Sequence, residues 1–394
     1  MVAIKELVGS PEFERLPIEA EQTFIPLFPD TLMDLREQAS TIKQVYLSGM
    51  DEPCELRMRE ITEPGGTIRY EAGIKGNERL EGGSRVRDEL VDGVEITKEL
   101  FELYTSGADL PTEYKFRTNI NKHTVVDFTE YGISIETESE AARQDFFNRF
   151  GGQDNYLDVT GEKTYGSRWR AERHYRQEHG GSPAFEQFKN PDTDAMVAQI
   201  LSARLNAVQP LIITLSGRSG SGKTTVVREL RDKLAGLGLT SDVTSTDNYH
   251  LGKTKLEALN GGQPWERWDD EIVYNLRALT EDLSYYQQGE PIAKPYMNFI
   301  TGEPEINGVI KQVDVLIVEG IYAGAPELRP LTSLNIEIPT PFATCVWRRL
   351  LRDARERPEF GDYTKNFLYM LYQGEPAYRQ QIAKRLAFEQ MQSS

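Results

Sequence analysis

The sequence predicts two domains of different class, an antiparallel β barrel with some helix (α+β) followed by an α/β domain with a parallel sheet. In the first half, several stretches alternate charged and apolar residues, the pattern of a β-strand with two unlike faces. In the second half, residues 210–230 form an apolar run, a glycine-rich turn and a helical pattern. Between them, residues 174–193 are polar and contain Gly180-Gly181 and two prolines, which is typical of a linker. We therefore assign residues 1–175 to the first domain, 176–194 to the linker and 195–394 to the second domain.

Composition limits the classes of function. The 394 residues are enough for two hydrophobic cores, and 39% hydrophobic with 27% charged residues is a globular mixture. The formal net charge of −17 argues against general binding of nucleic acid or anionic membranes. The chain shows neither a membrane-length apolar run nor a secretion signal, and Cys54 and Cys345 lie outside any metal-type spacing. We expect a cytoplasmic protein, and the oligomeric state is left open, a homo-oligomer included.

The alternating stretches of the first half predict short antiparallel strands. They are residues 19–24, 55–59, 68–75, 84–87, 113–117 and 135–138, and Gly-rich turn signals separate several of them. A charged strand face that simply meets water is the simplest interpretation of one such stretch. Here, however, arginine and lysine concentrate on some strands and glutamate on others. A barrel with that lining would hold an anionic chain on its basic wall and Mg²⁺ on its acidic wall.

This half resembles the CYTH-type triphosphate tunnel proteins. The segment EAEQTF at residues 19–24 is similar to the E-x-E-x-K opening of that family, and QVYLS, ELRMRE, IKG, KFR and DVTGEKTYGS follow in the family's order. The resemblance implies an eight-stranded tunnel that binds tripolyphosphate or polyphosphate with a divalent metal. It implies metal ligation by Glu19, Glu21, Glu136 and Glu138, and phosphate binding by Arg57, Arg59, Lys75, Lys115 and Arg117. Thr23 stands where the motif has a basic residue, so we expect binding and leave hydrolysis open.

The glycine-rich turn of the second half matches the phosphate-binding pattern G-x-x-x-x-G-K-[ST]. The matching residues, with the threonine that follows, are Gly217, Arg218, Ser219, Gly220, Ser221, Gly222, Lys223, Thr224 and Thr225. Backbone amides of such a loop and of the helix start bind phosphate oxygens, Lys223 would neutralise the β- and γ-phosphates, and Thr224 would bind Mg²⁺. A chance match on an ordinary strand–turn–helix is the alternative, and the flanking strand and helix argue against it.

Three other features of the second half carry candidate chemistry. Asp247 and Glu319 each follow a predicted strand, where a side chain faces the ligand crevice of a parallel sheet, although Asp247-Asn248 also suits a simple turn. The cluster Trp265–Asp270 suits a sugar ring, or else a loop anchored by buried tryptophans. A helical stretch carries Arg348, Arg352, Arg355 and Arg357, which would form either a lid over the transferred phosphoryl group or a solvated basic helix.

In order, GRSGSGKTT, TDNYH, RWDDEIVYN, KPYMNFITG, VEGIY and RRLLRDARERP resemble the uridine kinase/phosphoribulokinase-like kinases. The resemblance implies a P-loop kinase that uses ATP and Mg²⁺ and phosphorylates an alcohol. It implies that Asp247 is the base and a metal-site residue, that Thr224 and Glu319 bind metal, that Asp269, Tyr249 and Tyr296 bind the acceptor, and that Arg348, Arg352 and Arg357 form the lid.

The acceptor loop differs from the uridine kinase pattern. In residues 295–304 the tyrosine is displaced by one position and the histidine and arginine of that pattern are missing. The sequence therefore predicts an ATP-dependent small-molecule kinase of uridine kinase type, with a nucleoside, a pentose phosphate or another alcohol as acceptor. One alternative is a tripolyphosphatase or pyrophosphatase tunnel regulated by a nucleotide-binding P-loop domain, and another is a pair of sensors without turnover. Asp247, Glu319 and the arginines favour chemistry, because nucleotide binding alone needs little beyond the loop.

Overall fold

The structure, a computed structural model, describes residues 18–107, 109–183, 191–206, 210–298, 300–356 and 362–393. The chain forms two compact units, Met1–Gln187 and Phe188–Ser394. Their boundary falls within the predicted linker, but the linker is shorter than predicted. Helices Ser167–His179 and Thr193–Asn206 extend into its two ends, because both sequences keep helical spacing up to those positions.

The N-terminal unit is a closed antiparallel barrel of eight strands. Its strands and the two short ones beside it are β1 (Ile18–Pro26), β2 (Ser40–Tyr46), β3 (Cys54–Thr62), β4 (Ile68–Gly76), β5 (Arg79–Glu81), β6 (Ser84–Ile96), β7 (Thr112–Asn121), β8 (Thr124–Thr129), β9 (Gly132–Thr137) and β10 (Tyr156–Asp158). The barrel order is β1-β9-β8-β7-β2-β3-β4-β6, and β6 pairs back to β1. The predicted barrel is confirmed.

Three helices in the described part of this unit pack against the barrel. They are α1 (Lys98–Thr105), α2 (Glu140–Arg149) and α3 (Ser167–His179), with 3-10 turns at Pro29–Gln38, Gln153–Asn155 and Lys163–Tyr165. Phe146 and Phe147 of α2 pack against Phe24 and Tyr156, and the Phe147 ring stacks on Tyr156 at 5.0 Å. Since side chains alternate along a strand, an apolar outer face leaves the charged face inside. Met58 lies in the core while its neighbours Arg57 and Arg59 line the barrel interior.

The C-terminal unit is an α/β fold. Its strands are β11 (Leu211–Ser216), β12 (Ser241–Ser245), β13 (Ile292–Asn298), β14 (Glu303–Ile310), β15 (Val315–Gly320) and β16 (Leu334–Glu337). Its helices are α4 (Thr193–Asn206), α5 (Lys223–Gly236), α6 (Lys253–Leu259), α7 (Leu276–Gln287), α8 (Phe342–Glu356), α9 (Tyr363–Tyr369) and α10 (Glu375–Ser393), with a π-helical turn at Met370–Gly374 and 3-10 turns at Thr246–Tyr249, Glu271–Val273 and Pro326–Leu331. None of the helices in the described ranges is long and apolar enough to cross a membrane.

The parallel sheet has the order β12-β15-β11-β16, and β13 and β14 form a separate antiparallel hairpin. Apolar clusters cover both sheet faces, one with α4 and α5 and the other with α7. The predicted parallel sheet is confirmed. Its register shows how the ends of three strands come together beside the glycine-rich turn. Glu319 at the end of β15 lies opposite Leu215 of β11 on one side and Ser245 of β12 on the other.

One glycine allows this sheet edge to close. Gly320 has φ +143, and a Cβ there would lie 1.9 Å from Oγ1 of Thr246, in the turn that carries Asp247. We predict that Gly320→Ala destabilises the protein by about 1–3 kcal/mol, because the new Cβ would collide with the short, fully buried side chain of Thr246 and the backbone angle favours glycine. Denaturant unfolding of the full chain measures the effect.

The control is Gly236→Ala in the last turn of α5, where a Cβ meets no atom within 4 Å. This variant should equal or slightly exceed the wild type in stability. Equal stability of Gly320→Ala and Gly236→Ala would show that the close contact is not required.

Candidate functional site

The glycine-rich loop of the C-terminal unit packs against α8. Gly220 has φ +82, and a Cβ there would lie 2.3 Å from the carbonyl oxygen of Cys345, while Gly222 has φ +93. Only glycine suits both positions. Lys223 begins α5, and its Nζ donates to the carbonyl oxygens of Gly217 and Arg218 at 2.9 Å each. The loop is therefore held in a curled form between β11 and α5, the form that a phosphate needs.

Lys223, Asp247 and Glu319 lie together at the carboxyl edge of the sheet. Burial lowers the pKa of Lys223, and the carboxylates of Glu319 and Asp247 oppose that change. Burial raises the pKa of Glu319, while Lys223 lowers it. Thr224 and Thr225 are exposed in the first turn of α5. The structure thus brings a cation, two carboxylates and two hydroxyls to the phosphate loop.

This donor set suits Mg²⁺ with phosphate oxygens. In the ranges that the structure describes, no group of three or more His, Cys, Asp or Glu side chains is arranged to hold a metal ion. Mg²⁺ is commonly bound by one or two carboxylates together with substrate phosphates, so the residues around Thr224 and Glu319 fit that ion.

The arginines of α8 divide into two groups. Nη1 of Arg348 donates to the carbonyl oxygen of Ser221 at 3.5 Å, and Arg352 is close enough to lower the pKa of Lys223 further. Arg355 instead pairs with Glu356 at the surface. Arg357 lies outside the described residues. Arg348 therefore contacts the loop, whereas Arg352 pairs with Asp353 at 2.7 Å and acts on Lys223 only electrostatically.

Arg349, to which the sequence analysis gave no role, is less exposed than Arg352 and Arg355 of the same helix, with 12% of its side chain exposed. Its Nη1 lies 3.0 Å from Oδ2 of Asp269, its Nε lies 3.3 Å from Oδ2 of Asp353, and its guanidinium stacks over the Tyr369 ring. The backbone amide of Asp269 also donates to the Tyr369 hydroxyl at 2.9 Å. The predicted acceptor-binding carboxylate of Asp269 is thus engaged in a buried ion pair, since burial leaves such an acid little alternative.

The two predicted acceptor-binding tyrosines are placed differently. Tyr249 is buried in the core against α7, and its hydroxyl donates to Asp282 at 2.8 Å, so this structure gives it a structural partner and its contact with an acceptor stays a prediction. Tyr296 is 46% exposed on β13, in the hairpin, where acceptor binding stays a prediction.

The tryptophan cluster anchors its loop. Trp265 and Trp268 pack against a core cluster that contains Leu256 and Tyr274, and the His250 ring stacks on Trp268 with centroids 5.6 Å apart. Of the two interpretations of this cluster, the structure favours the anchored loop.

A second ion pair missed by the sequence analysis joins the loop to α10. Nε of Arg218 lies 2.9 Å from Oε2 of Glu375, and the Arg218 guanidinium lies over the Tyr378 ring. These contacts hold Arg218, the second residue of the phosphate loop, in place against α10. The partners are 157 positions apart in the chain, and no local pattern could have revealed the pair.

The barrel of the N-terminal unit encloses a cavity of about 120 Å³. All nine residues predicted for the tunnel line it, namely Glu19, Glu21, Arg57, Arg59, Lys75, Lys115, Arg117, Glu136 and Glu138. The lining residues that were not predicted are Gln44, Tyr46, Glu55, Arg85, Arg87, Asp92, His123, Val125, Ser167 and Arg168. The alternation of each strand could have revealed Arg85 and Arg87, which have the same spacing as Arg57 and Arg59.

The predicted separation into a basic and an acidic wall is wrong. Lys75 pairs with Glu19 at 2.7 Å, and Arg117 pairs with Glu136 at 3.1 Å. The cause is strand pairing, since β6 places Arg87 opposite Glu19 and Arg85 opposite Glu21 of β1. The fourth predicted metal ligand, Glu138, pairs with His123 at 2.7 Å. Metal binding by these glutamates stays a prediction, and it requires them to leave these partners.

The lining of the cavity nevertheless has more cations than carboxylates. It contains eight arginine and lysine side chains against six carboxylates, in a chain of net charge −17. Arg59, one of these cations, has only one distant carboxylate partner among the described residues. It donates to Oε1 of Gln44 at 2.6 Å, and the carboxylate of Glu71 is 3.9 Å away. Burial, with Arg57 and Arg117 nearby, lowers the pKa of Arg59 to about 10. A buried cation of this kind favours an anion in the cavity.

Comparison with known proteins bears on the C-terminal unit first. Residues 212–387 match the sequence model of the phosphoribulokinase/uridine kinase family. The chain is similar to a uridine kinase of Ureaplasma parvum serovar 3, with 31% identity over 156 residues that cover 39% of this chain and 73% of that protein. It is also similar to a uridine kinase of Anoxybacillus flavithermus, with 34% identity over 155 residues that cover 38% of this chain and 70% of that protein. Among solved structures, an inorganic triphosphatase matches 39% of this chain and 93% of its own length, with 20% identity and a TM-score of 0.23.

The Arg349–Asp269 contact predicts a stability effect. We expect Arg349→Met to lower the free energy of unfolding by about 3–5 kcal/mol, because it leaves the carboxylate of Asp269 buried without its cation. Denaturant unfolding of the full chain is the measurement. Arg355→Met on the same helix is the matched control, and it should change stability by less than about 0.5 kcal/mol because Arg355 is half exposed.

The double variant Arg349→Met with Asp269→Asn should recover part of the loss, since no charge is then left unpaired. Equal stability of Arg349→Met and Arg355→Met would contradict a structural role for the pair.

Proposed function

Through its C-terminal unit, the chain belongs to the phosphoribulokinase/uridine kinase family of P-loop kinases, and we propose that this unit transfers the γ-phosphoryl group of ATP to a hydroxyl of a small molecule. The observation that carries the proposal is the convergence of Lys223, Asp247 and Glu319 on the glycine-rich loop. Nucleotide binding alone does not need two carboxylates there.

Each residue of this edge has a role in the proposed reaction. The loop amides and Lys223 hold the β- and γ-phosphates, and Lys223 leaves its two carbonyl partners to do so. Asp247 takes the proton from the attacking hydroxyl as the phosphoryl group moves to the acceptor oxygen. Arg348 and Arg352 stabilise the charge of the transferred group from α8.

Thr224 and Glu319 would hold Mg²⁺, together with phosphate oxygens of ATP. The bound ion would neutralise negative charge on the phosphates of ATP. The carboxylate of Asp247 is near enough to that of Glu319 to raise the pKa of Glu319. Asp247 is therefore also placed to act as a metal ligand in the proposed site. The exposed first turn of α5 leaves the Thr224 hydroxyl accessible to an ion.

The acceptor is proposed as a class only. The similar proteins are named uridine kinases, and a nucleoside is therefore the first candidate. Two differences bear on recognition, since the hairpin loop lacks the uridine kinase pattern and Asp269 is paired with Arg349. A pentose phosphate or another alcohol is the second candidate, and ATP consumption with nucleosides and sugar phosphates separates the two.

For the N-terminal unit, we propose binding of tripolyphosphate or polyphosphate in the barrel cavity with a divalent metal. The supporting observation is the excess of cations lining a closed cavity in a strongly acidic protein. Hydrolysis by this unit, with the C-terminal unit as a nucleotide-binding regulator, is the alternative that the sequence left open. The buried, under-neutralised Arg59 favours binding of an anion and does not by itself supply a hydrolytic step.

The kinase proposal predicts a separation of binding from transfer. In Asp247→Asn, ATP should bind with near wild-type affinity while phosphoryl transfer falls by about two to four orders of magnitude, because the amide cannot take the proton. ATP binding by calorimetry and turnover with the best acceptor measure the two effects.

Asp242→Asn is the matched control. Asp242 lies on β12, the strand that leads into the turn carrying Asp247, and it pairs with Lys294, so turnover should be unchanged. Transfer by Asp247→Asn at the control rate would exclude Asp247 as the base.

The barrel proposal predicts that tripolyphosphate binds the full chain in the presence of Mg²⁺ or Mn²⁺, more weakly at high salt. Arg59→Gln should weaken this binding by at least roughly tenfold, since a charge-assisted hydrogen bond is lost. Arg149→Gln, on the exposed face of α2, should bind as the wild type does. Calorimetry measures all three proteins, and equal affinities of the two variants would contradict a role for Arg59.

A further inference from the structure

We infer that Arg85 on β6 is a phosphate-binding cation of the barrel and that Thr23 positions it. The inference rests on the proposed binding of a phosphate chain in the barrel and deepens it by naming a residue. It also bears on Thr23, the position where the tunnel motif has a basic residue and this chain does not. In this assignment the cation comes from the neighbouring strand instead.

The strand register brings the two residues together. Arg85 lies opposite Glu21 in the pairing of β6 with β1. Thr23 is two positions beyond Glu21 and therefore on the same face of β1, the face that lines the barrel. Nη2 of Arg85 donates a hydrogen bond to Oγ1 of Thr23. The guanidinium thus reaches along β1 to the position where a long basic side chain at residue 23 would lie.

Arg85 is buried and lines the cavity, with only 4% of its side chain exposed. Its Nη2 lies 2.8 Å from Oε1 of Glu21 and 3.7 Å from Oε1 of Glu136. Its Nη1 lies 3.6 Å from Oε2 of Glu78. One guanidinium is therefore shared among three carboxylates, and two of the three contacts are longer than a hydrogen bond.

The Nε of Arg85 is buried and has no hydrogen-bond partner among the described residues. Leaving such a donor unsatisfied is costly, and native proteins rarely do so without a ligand or a functional reason. The Nε–H group is a single charged donor directed at one acceptor, and a phosphate oxygen is a strong acceptor for such a group. An oxygen of a bound phosphate chain in the cavity would satisfy this donor.

Thr23 is suited to positioning and not to binding. It is 1% exposed, and its backbone amide donates to Oγ1 of Thr160 at 3.0 Å, which fixes this part of β1. Its short side chain leaves the space that the guanidinium of Arg85 enters, and its hydroxyl oxygen accepts from that guanidinium. A lysine at residue 23 would compete with Arg85 for the same space and the same carboxylates.

The test is calorimetric titration of the full chain with tripolyphosphate and Mg²⁺. We expect Arg85→Gln to weaken binding roughly tenfold to a hundredfold. Arg79→Gln is the control, because Arg79 on β5 pairs with Glu81 and Asp88 and does not line the cavity. The double variant Arg85→Gln with Thr23→Lys should regain most of the lost affinity, since it restores a cation at the same place.

The outcomes separate this inference from the function on which it rests. Absence of binding by the wild type would overturn the proposed phosphate binding, and the inference with it. Binding by the wild type with equal affinities of Arg85→Gln and Arg79→Gln would overturn the assignment of Arg85 alone. A loss in Arg85→Gln that lysine at residue 23 does not restore would show that Arg85 acts through the barrel structure, which also overturns the assignment.

Discussion

Neutralisation of charge inside a closed barrel is the constraint on which the N-terminal unit depends. Alternation along eight strands puts apolar side chains outside, where α2 packs on them, and charged side chains inside. The fully buried carboxylate of Asp127 shows how a charged group is tolerated inside the barrel. Burial opposes its ionisation, but Arg117 and Lys115 lower its pKa far below the ordinary value. Such buried ion pairs add little net stability to the fold. Removing one partner is nevertheless costly, because it leaves the other charge buried and unpaired. A substitution of one interior charge therefore affects its partners as well.

The candidate sites of the two units are built in different ways. In the C-terminal unit the geometry is set by backbone, because Gly220 and Gly320 allow contacts that any Cβ would block. One lysine and two carboxylates complete the site. In the N-terminal unit the geometry is set by side chains, held in place by ion pairs between strands. A backbone cradle suits one defined phosphate position, whereas a lining of many cations suits a phosphate chain of variable length.

The separation along the chain between two interacting residues decides whether the sequence could predict their contact. The phosphate loop and the ends of β12 and β15 are local patterns, and they were placed correctly. The nine tunnel residues line one cavity because a period of two fixes the face of every strand. Contacts between distant residues were out of reach, as with Arg349 and Asp269, 80 positions apart. The two-wall picture failed for the same reason, because only the register of β6 on β1 shows which charges meet.

The same distinction separates phosphoryl transfer from acceptor recognition in the C-terminal unit. Transfer relies on the ends of three paired strands, so the fold itself keeps Lys223, Asp247 and Glu319 together. Recognition relies on side chains that can change without altering the sheet. In this protein Arg349 neutralises the carboxylate of Asp269. The hairpin that carries Tyr296 lies outside the parallel sheet. A nucleoside that needs a free carboxylate would have to displace a buried arginine, at the cost of an unpaired charge. An acceptor that is bound without the carboxylate of Asp269 would meet no such penalty.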